Sequence, residues 1–443
     1  MSADPTISPQ APASDAALRN VAQLKDRNQR ASGVASGTVP REIRAVGVIG
    51  AGVMGVGIAA AHLKHLVPVT VVDAAADALA RATPAILEEA ANDVALPAPD
   101  PQRFEELAAL LRSGSGHEPL AACDLVIESV VENAAVKQQI YQRLESRLGP
   151  AAILASNTST LPISNLARVL QHPERFCGLH FCNPVRSRLL VEVIRGQQTS
   201  DETIATAVQH LKRIGKLPIV VQDGPGFLVN RLLSPYLNEA LQLLCGGVSI
   251  EDLDRAAVAF GMPLGPMAIL DLIGIDTAFY AGRTMWEAFP DRIAVTPVLP
   301  TFMKAGRLGQ KTGRGFYSYP DGLHQPQPDP AAVRLFEPYV RRRQSYSQEE
   351  ITRRLLLPFL LEATRVLEDA LLSDVRDVDL GMLFGLGFPA AKGGLLFWAD
   401  TLGAATIVEM LQPFQKLGTR FRPTALLLEM ARESRKFYEG FPC

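Results

Sequence analysis

A hydroxyl, an imidazole and a carboxylate lie within one apolar stretch, residues 156–192, and could together move a proton. Ser159 belongs to the segment SNTST, His180 to FCGLHFCNPV and Glu192 to LLVEVIRG. An imidazole has a reference pKa of about 6.5, so it can take up or release a proton near neutral pH. We expect a hydrogen-bonded carboxylate to raise that pKa and to fix the tautomer. His180 is therefore a candidate general base and Glu192 its candidate partner, and Ser159 supplies a hydroxyl in the same stretch.

Each of these residues also has an ordinary structural explanation. A histidine at a strand end can be a hydrogen-bonded structural residue, and a glutamate in an apolar strand can have its own buried partner. The hydroxyls of SNTST can cap a helix. The functional interpretation therefore depends on the elements that surround these side chains.

A glycine-rich segment after the first predicted strand indicates a dinucleotide-binding turn. The apolar run 45–49 is followed by Gly50-Ala51-Gly52-Val53-Met54-Gly55 and by a helical pattern over 58–65. Such a turn lets the backbone approach a pyrophosphate, which binds to free amides at the helix N-terminus. A second strand, 67–72, ends in Asp73, which can bind the adenosine ribose and repel a 2'-phosphate. The segment therefore predicts NAD as cofactor; the alternative is that Asp73 caps the next helix.

Strands and helices alternate from this turn to residue 221. The predicted strands are 125–129, 152–155, 176–180, 190–194 and 218–221, and the predicted helices are 136–148, 163–170 and 204–214. This alternation is typical of an α/β, doubly wound (Rossmann-like) sheet that is mostly parallel. Ligands bind at the carboxyl ends of such strands, where Ser159 and His180 are expected.

After Asp223 the pattern becomes helical and repeats itself. LSPYLNEA at 233–240 matches LLPFLLEA at 356–363, and Gly261-Met262-Pro263 matches Gly387-Phe388-Pro389. The pattern predicts two tandem copies of an all-helical domain. The expected organisation is a flexible leader at 1–40 that can hold a short helix near 15–27, an NAD-binding domain at 41–222, helical copies at 223–320 and 348–443, and a linker at 321–347.

Composition excludes several classes of protein. The chain has 443 residues, 47% of them hydrophobic and 20% charged, which is ordinary for a multidomain globular protein. A net charge of −2 makes nucleic acid a poor candidate partner. The five cysteines show no metal-ligand spacing, so we expect reduced thiols and no metal site. The sequence has no secretory signal and no apolar run long enough for a membrane span, so a cytoplasmic location is expected.

Taken together, the motifs resemble those of the (3S)-3-hydroxyacyl-CoA dehydrogenase family. The resemblance runs from about residue 43 to residue 439 and is carried by GVIGAGVMG, DLVIESVVEN, SNTSTLPIS, GLHFCNPV, LVEVIRG, GPGFLVNRLL, GMPLGPMAILDLIGIDT and GQKTGRGFY. The repeated helical region makes the chain more similar to the dehydrogenase half of the multifunctional fatty-acid oxidation α-subunit than to the single-domain enzyme.

The resemblance implies a role for each matching residue. It places the catalytic base on His180, the partner carboxylate on Glu192, and contacts to the substrate oxygen on Ser159 and Asn230. It also implies cofactor contacts at Glu132, Lys137, Asn157 and Asn183, although a lysine on a helix face is more often solvated. The second helical copy has Arg353 where the first has Asn230, so it is expected to be non-catalytic.

The implied reaction is the oxidation of (S)-3-hydroxyacyl-CoA to 3-ketoacyl-CoA in fatty-acid β-oxidation. The family's hydratase/isomerase half has no counterpart in the sequence, so we expect no hydratase activity. Around Arg81 two acids replace lysines that the family often has near the CoA phosphates. The alternatives are a short-chain 3-hydroxybutyryl-CoA dehydrogenase and a non-catalytic subunit that binds acyl-CoA or a thiolase. Expected partners are the acyl-CoA substrate and a thiolase or hydratase, with the chain either a monomer with an internal pseudo-dimer or a homo-oligomer.

Overall fold

The computed structural model describes residues 14–35, 37–92, 101–320, 326–341, 345–372 and 374–440. They form two compact units: a sheet unit, residues 24–227, and a helical unit, residues 228–440 with 14–23. The units separate between Phe227 and Leu228, whereas the domain boundary was expected after residue 222. Parts of the predicted leader and linker, and Cys443, lie outside the described residues.

The sheet unit contains an eight-stranded sheet in the order β3-β2-β1-β4-β5-β6-β7-β8. Its strands are β1 Val46–Ile49, β2 Val69–Val72, β3 Leu111–Gly114, β4 Leu125–Glu128, β5 Ile153–Ser156, β6 Phe176–Phe181, β7 Leu190–Arg195 and β8 Leu217–Gln222. The strands β1 to β6 are parallel, β7 is antiparallel to β6, and β8 is parallel to β7. The predicted mostly parallel, doubly wound sheet is thus confirmed, and its strands are apolar runs because they are buried on both faces.

The edge strand β3 was not predicted. Its sequence, Leu-Arg-Ser-Gly, is polar, and none of its residues is fully buried. An edge strand that is partly exposed needs no apolar run, so its pairing with β2 depends on the tertiary fold.

Helices of the sheet unit cover the sheet and connect its strands. They are α1 Asp15–Arg30 (in part), α2 Val53–Lys64, α3 Ala76–Ala91, α4 Pro101–Leu110, α5 Ala134–Glu145, α6 Ile163–Leu166 and α7 Asp201–Arg213, with short 3-10 turns at Glu118–Ala122, Ala167–Val169 and Pro173–Arg175. Apolar side chains from α2, α3 and α7, among them Ile58, Ile86 and Leu211, pack with the strands in one core. The core leaves the carboxyl ends of the parallel strands for polar residues.

The segment expected to be a flexible leader contains a long helix in its described part. Helix α1 extends to Arg30, three residues beyond the expected short helix. Leu24 is 1% exposed, and the buried amide of Asn28 donates to the carbonyl of Pro218 at 2.7 Å. The helix is thus longer than the expected one, and its C-terminal half packs on the sheet unit through partners that the local sequence does not reveal.

The helical unit contains α8 Val229–Cys245, α9 Ile250–Phe260, α10 Pro266–Ile273, α11 Ile275–Ala288, α12 Val298–Lys304, α13 Pro330–Phe336, α14 Gln348–Glu368, α15 Val375–Leu380, α16 Leu395–Leu402, α17 Ala404–Leu411, α18 Ala425–Glu433 and α19 Phe437–Gly440. A π-helix spans Gly381–Leu386, and 3-10 turns span Gln310–Thr312, Glu337–Tyr339, Ala390–Lys392, Gln412–Leu417 and Thr419–Phe421. A small two-stranded sheet pairs β9 Tyr317–Ser318 with β10 Gln327–Pro328. The predicted helical region after the sheet is confirmed.

Helices α8 and α14 are joined by two ion pairs of the same kind that run in opposite directions. Arg231 of α8 donates to Glu362 of α14 at 2.9 Å, and Arg354 of α14 donates from Nε to Glu239 of α8 at 2.7 Å. All four side chains are nearly inaccessible to solvent. Each helix thus supplies one arginine and one glutamate to the other, as in a contact with approximate twofold symmetry.

Two absences concern only the part of the chain that the structure describes. There, none of the helices combines the length and the apolar character that a membrane span requires. The same residues contain no cluster of three or more His, Cys, Asp or Glu side chains suited to a metal ion.

Candidate functional site

His180 and Glu192 face each other across the antiparallel pair β6 and β7. The pairing register places the two residues directly opposite, so their side chains project from the same face of the sheet. Nδ1 of His180 lies 2.6 Å from Oε2 of Glu192. Glu192 is fully buried and His180 is 7% exposed. The carboxylate therefore holds the Nδ1 proton, which leaves Nε2 as the nitrogen that can accept a proton from a substrate.

An aromatic ring adjoins this pair. The Phe227 ring lies 6.0 Å from the His180 ring, centroid to centroid, at an angle of 52°. Phe227 is fully buried. Its apolar surface restricts water around the imidazole and strengthens the interaction with Glu192.

Ser159 follows β5 in a loop that is held by the carboxylate of Glu132. Oε1 of Glu132 accepts hydrogen bonds from Thr158 Oγ1 at 2.6 Å, from the Ser159 amide at 3.0 Å and from the Thr160 amide at 3.2 Å. Burial alone would raise the pKa of Glu132, but Lys137 and these hydrogen bonds outweigh it and hold the pKa below its ordinary value. Glu132 is therefore an anion that orders the loop, and the predicted contacts of Glu132 with cofactor and of Ser159 with substrate stay predictions.

Lys137 is buried rather than solvated. Its side chain is 1% exposed, and its ammonium lies 2.7 Å from Glu128 Oε1 and 3.4 Å from Glu132 Oε2. Glu128, fully buried at the end of β4, also accepts hydrogen bonds from Tyr141 and, at 2.9 Å, from Ser156. Lys137 thus joins two carboxylates beneath the Ser159 loop, which explains why a lysine occupies this helix face.

The two asparagines with an implied cofactor role lie in different surroundings. Asn157 is 8% exposed, and its Oδ1 accepts a hydrogen bond from the Phe181 amide at 2.9 Å. This bond ties the end of β6 to the loop after β5. Asn183 is exposed in the loop that joins β6 to β7. Asn157 is thus bonded to the residue after His180, and Asn183 follows His180 by three positions, but their contacts with a cofactor stay predictions.

The glycine turn has two positions that the fold requires and one that it does not. Gly50 has φ +104°, and a Cβ there would lie 2.5 Å from the Ser129 carbonyl oxygen. A Cβ on Gly55 would lie 1.8 Å from the Gly50 carbonyl oxygen. A Cβ on Gly52, in contrast, would have no atom within 4 Å, and Gly52 precedes the first residue of α2 without a side-chain cap. The open space and uncapped amides at this turn fit a phosphate group.

Two apolar residues of the turn, Val53 and Met54, begin α2. Val53 is 79% exposed, whereas Met54 packs against the core in part. An exposed valine beside Gly52 gives the turn an apolar surface that a bound nucleotide could cover. Their predicted cofactor contacts remain predictions.

Asp73 links the glycine turn to the following helix. Its Oδ2 accepts a hydrogen bond from the Ala51 amide at 2.8 Å, and its Oδ1 accepts one from the Ala75 amide at 2.9 Å. Asp73 therefore orders the turn between β2 and α3, a structural role beside the predicted ribose binding, although the N-cap of α3 itself is Ala75 and has no side-chain cap. The two roles are compatible because a carboxylate has about four acceptor positions.

Asn230 lies in the helical unit, as the second residue of α8, and is partly exposed. Its predicted contact with the substrate oxygen stays a prediction. Arg81, which lies in the region where the family often has lysines near the CoA phosphates, forms an exposed ion pair with Asp77 at 2.8 Å.

Sequence reasoning missed Glu128, Tyr141 and Lys216. Glu128 ends the apolar run DLVIE, where an acid at the end of a buried strand is itself a signal of a buried partner. Tyr141 and Lys216 carry no such signal, because a tyrosine in a helix and a lysine before a strand are ordinary. Their partners are brought together by the tertiary fold alone.

The comparisons with known proteins agree on one family. The family model described as 3-hydroxyacyl-CoA dehydrogenase, NAD binding domain, matches residues 45–224, and the model of the C-terminal domain of 3-hydroxyacyl-CoA dehydrogenase matches residues 226–319. The fatty acid oxidation complex subunit alpha of Pseudomonas aeruginosa (strain LESB58) is 38% identical over 405 residues, 90% of this chain and 57% of the relative. The chain thus spans somewhat more than half the length of that relative.

Two solved structures match this chain over different lengths. FadB2 of M. tuberculosis is 37% identical with a TM-score of 0.61, and the match covers 63% of this chain and 100% of FadB2. The 3-hydroxybutyryl-CoA dehydrogenase of Escherichia coli K12 is 26% identical with a TM-score of 0.77, and the match covers 89% of this chain and 99% of the E. coli chain. The longer match includes much of the region after residue 319 that the family models leave unmatched.

Proposed function

Because the chain belongs to the 3-hydroxyacyl-CoA dehydrogenase family, we propose that it oxidises (S)-3-hydroxyacyl-CoA thioesters to 3-ketoacyl-CoA with NAD as the hydride acceptor. The observation that carries the proposal is the buried pair of His180 and Glu192, with 2.6 Å between Nδ1 and Oε2. An imidazole held in one tautomer by a carboxylate is the arrangement that general-base catalysis needs.

In the proposed reaction, Nε2 of His180 takes the proton of the substrate 3-hydroxyl group. Bound NAD would supply the acceptor for the hydride that leaves C3 as the C3–O bond becomes a carbonyl. Glu192 stabilises the imidazolium that forms. Ser159 is proposed to donate a hydrogen bond to the oxygen whose charge changes. In the reverse direction the imidazolium of His180 returns the proton.

NAD binding is supported by the family model for residues 45–224 and by the glycine turn. Gly52 and the uncapped amides at the start of α2 would receive the pyrophosphate, and Asp73 the adenosine ribose. Glu132, Lys137, Asn157 and Asn183 would lie toward the nicotinamide end.

The test compares two histidines that each contact a glutamate. His180→Ala should lower kcat by about 10²- to 10⁴-fold and leave the Kd for NAD unchanged, because the ring acts on the proton. His172→Ala is the matched control, since His172 is exposed and lies 3.2 Å from Glu174. Failure of the wild-type chain to form NADH with any acyl length would contradict the proposal and favour a non-catalytic subunit that binds acyl-CoA or thiolase.

A short-chain substrate is the second candidate. The E. coli structure that covers 89% of this chain is a 3-hydroxybutyryl-CoA dehydrogenase. Comparing kcat/KM for four-carbon and longer 3-hydroxyacyl-CoA substrates separates the two candidates. A preference for four carbons would assign the short-chain function.

We also propose that the helical unit contains two copies of one domain that form an internal pseudo-dimer. The reciprocal pairs Arg231–Glu362 and Arg354–Glu239 support this, because each residue matches its counterpart at an offset of 123 in the sequence. Tyr236 stacks on Phe359, its counterpart, with ring centroids 4.6 Å apart. Isologous contacts of this kind are those of a twofold interface.

Matching carboxylates support the duplication further. Asp254 accepts hydrogen bonds from the Met267 and Ala268 amides at 2.8 and 3.1 Å. Asp379 is its counterpart when Asp252-Leu253-Asp254 is aligned with Asp377-Val378-Asp379. It accepts hydrogen bonds from two successive amides, Leu396 and Phe397, at 2.7 and 3.0 Å. Each carboxylate thus caps the start of a helix, α10 in the first copy and α16 in the second.

Removing the second copy tests the pseudo-dimer. A chain that ends at residue 320 would leave Arg231 and Glu239 without their partners, so we expect it to dimerise, aggregate or lose stability. If that chain is stable, monomeric and fully active, the pseudo-dimer proposal fails. Sedimentation measures the oligomeric state of both chains, and the 443-residue chain is expected to be monomeric.

The proposed chemistry suggests the protein partners. Hydration of an enoyl-CoA supplies a 3-hydroxyacyl-CoA, and thiolysis consumes a 3-ketoacyl-CoA, so a hydratase and a thiolase are the proposed partners.

The four described cysteines are free thiols, which supports the proposed cytoplasmic location.

A further inference from the structure

Lys216 is a buried lysine that the proposed reaction does not use. It lies between α7 and β8 and is 5% exposed. Its ammonium donates to the carbonyl oxygen of Val185 at 2.6 Å and to that of Arg188 at 2.9 Å. A buried ammonium is costly unless its donors are paired, so these two bonds are the reason that a lysine is tolerated there.

Both carbonyls belong to the loop 182–189, which joins the strand of His180 to the strand of Glu192. The same loop carries Asn183. Two further contacts hold it: the Leu217 amide donates to the Leu189 carbonyl at 2.8 Å, and the buried side chain of Val185 packs on Gly57 of α2. A Cβ on Gly57 would lie only 3.0 Å from Val185 Cβ, so the loop lies directly on the helix that begins at the glycine turn.

We propose that Lys216 is a positioning residue. By binding the carbonyls of Val185 and Arg188 it fixes the loop 182–189, and so it holds Asn183 of that loop in place for the nicotinamide end of NAD. The inference rests on the proposed NAD-linked function through the role of Asn183. The lysine acts without touching the cofactor, because its ammonium donates to backbone carbonyls of the loop. A methionine at this position would keep the apolar stem and remove the ammonium that links the loop.

The charge of Lys216 is sensitive to alkaline pH. Burial is the main cause that lowers the pKa of Lys216 to about 8; Lys64 of α2 acts in the same direction, and Cys182 of the loop and Glu89 of α3 oppose it. His62 of α2 and His65, which follows α2, also face this charge. A neutral amine is a weaker donor to a carbonyl than an ammonium, so the loop should be held less firmly above pH 8.

The experiment compares two lysines that both bind backbone carbonyls. Lys212, on α7, donates to the carbonyls of Gln29 and Ala31, away from the loop. In the full chain, Lys216→Met should raise the Kd for NAD by about tenfold and increase hydrogen exchange at amides 185–189. Lys212→Met should leave both quantities at their wild-type values. Lys216→Arg, which keeps a positive charge at the same position, should recover part of the lost affinity.

Two outcomes would overturn the inference. One is that Lys216→Met and Lys212→Met change the NAD affinity and the exchange of 185–189 equally. The other, which needs no variant, is a wild-type Kd for NAD that stays constant between pH 7 and pH 9.5, since the inference requires it to rise. His180→Ala separates this inference from the proposed function, because it should lower kcat by about 10²- to 10⁴-fold while keeping the wild-type NAD affinity and loop exchange.

Discussion

Nδ1 of His180 and Oε2 of Glu192 lie 2.6 Å apart although twelve residues separate them in the chain. This is possible because β7 runs antiparallel to β6, which places the two residues directly opposite each other. Most neighbours in the sheet are parallel, and a parallel pair would need a longer crossover to place them side by side.

Glu192→Gln tests the charge of the buried partner. The amide can still accept a hydrogen bond from His180, but it cannot stabilise an imidazolium by charge, so we expect kcat to fall by about 10²- to 10⁴-fold. The control is Glu174→Gln, which changes the exposed partner of His172 and should leave kcat unaltered. Equal kcat in Glu192→Gln and wild type would show that Glu192 has no catalytic role.

Substitutions in the glycine turn should separate binding from stability. Gly52→Ala meets open space, so its melting temperature should stay near the wild-type value while the Kd for NAD rises. Gly55→Ala forces a Cβ against the Gly50 carbonyl, which should cost about 1–3 kcal/mol of unfolding free energy or more. Calorimetry and NAD titration of both variants check this, and loss of stability in Gly52→Ala would contradict it.

Glu362 is the most heavily paired carboxylate of the α8–α14 contact. It lies 2.9 Å from Arg231 and 3.0 Å from both Arg292 and Arg365. Glu362→Gln removes the carboxylate that faces these three guanidinium groups, of which Arg231 keeps a second partner, Asp369, so we expect a loss of about 3–5 kcal/mol in unfolding free energy. Denaturant titration measures it.

The control for Glu362 is an exposed pair of the same residue types. Glu287 lies 3.6 Å from Arg283 on the surface of α11. Because solvent screens such a pair, Glu287→Gln should change the unfolding free energy by less than about 1 kcal/mol. A loss of similar size in both variants would mean that burial of the Glu362 cluster is not what stabilises the helical unit.

A stacked pair of buried histidines should make the sheet unit sensitive to acid. The rings of His62 and His210 lie 5.1 Å apart at 19°, and burial lowers the pKa of His62 to about 4 and that of His210 to about 2. Below about pH 6.5 these histidines bind protons in the unfolded chain but not in the folded chain, so the free energy of unfolding falls as the pH falls. Each contributes about 1.4 kcal/mol per pH unit until its folded pKa is reached.

His210→Phe checks the sign and size of this effect. The phenyl ring keeps the stacking partner and removes one titrating group, so unfolding free energy should decline less steeply between pH 6.5 and pH 4 than in wild type. His172→Ala, which removes an exposed histidine, should keep the wild-type slope. Identical slopes in His210→Phe and wild type would exclude His210 as a source of acid sensitivity.

The sequence predicted the elements whose signal is local. The apolar runs of β1, β2, β4 and β5 and the glycine turn are contiguous, and burial on both faces makes such runs unmistakable. The edge strand β3 was missed because it is polar, and helix α1 was predicted too short because it packs through a single face. Each therefore depends on distant partners.

For the site, residue types and motifs were sufficient to name His180, Glu192 and Ser159 as candidates. Only the tertiary structure determined that Glu192 lies opposite His180, that Glu132 holds the Ser159 loop, and that Lys137 and Lys216 are buried. The physical reason is that periodicity records which residues are apolar, whereas the cost of burying a charge can be met by a partner at any separation along the chain. Lys216, for example, meets that cost with the carbonyls of Val185 and Arg188, which no local pattern around the lysine indicates.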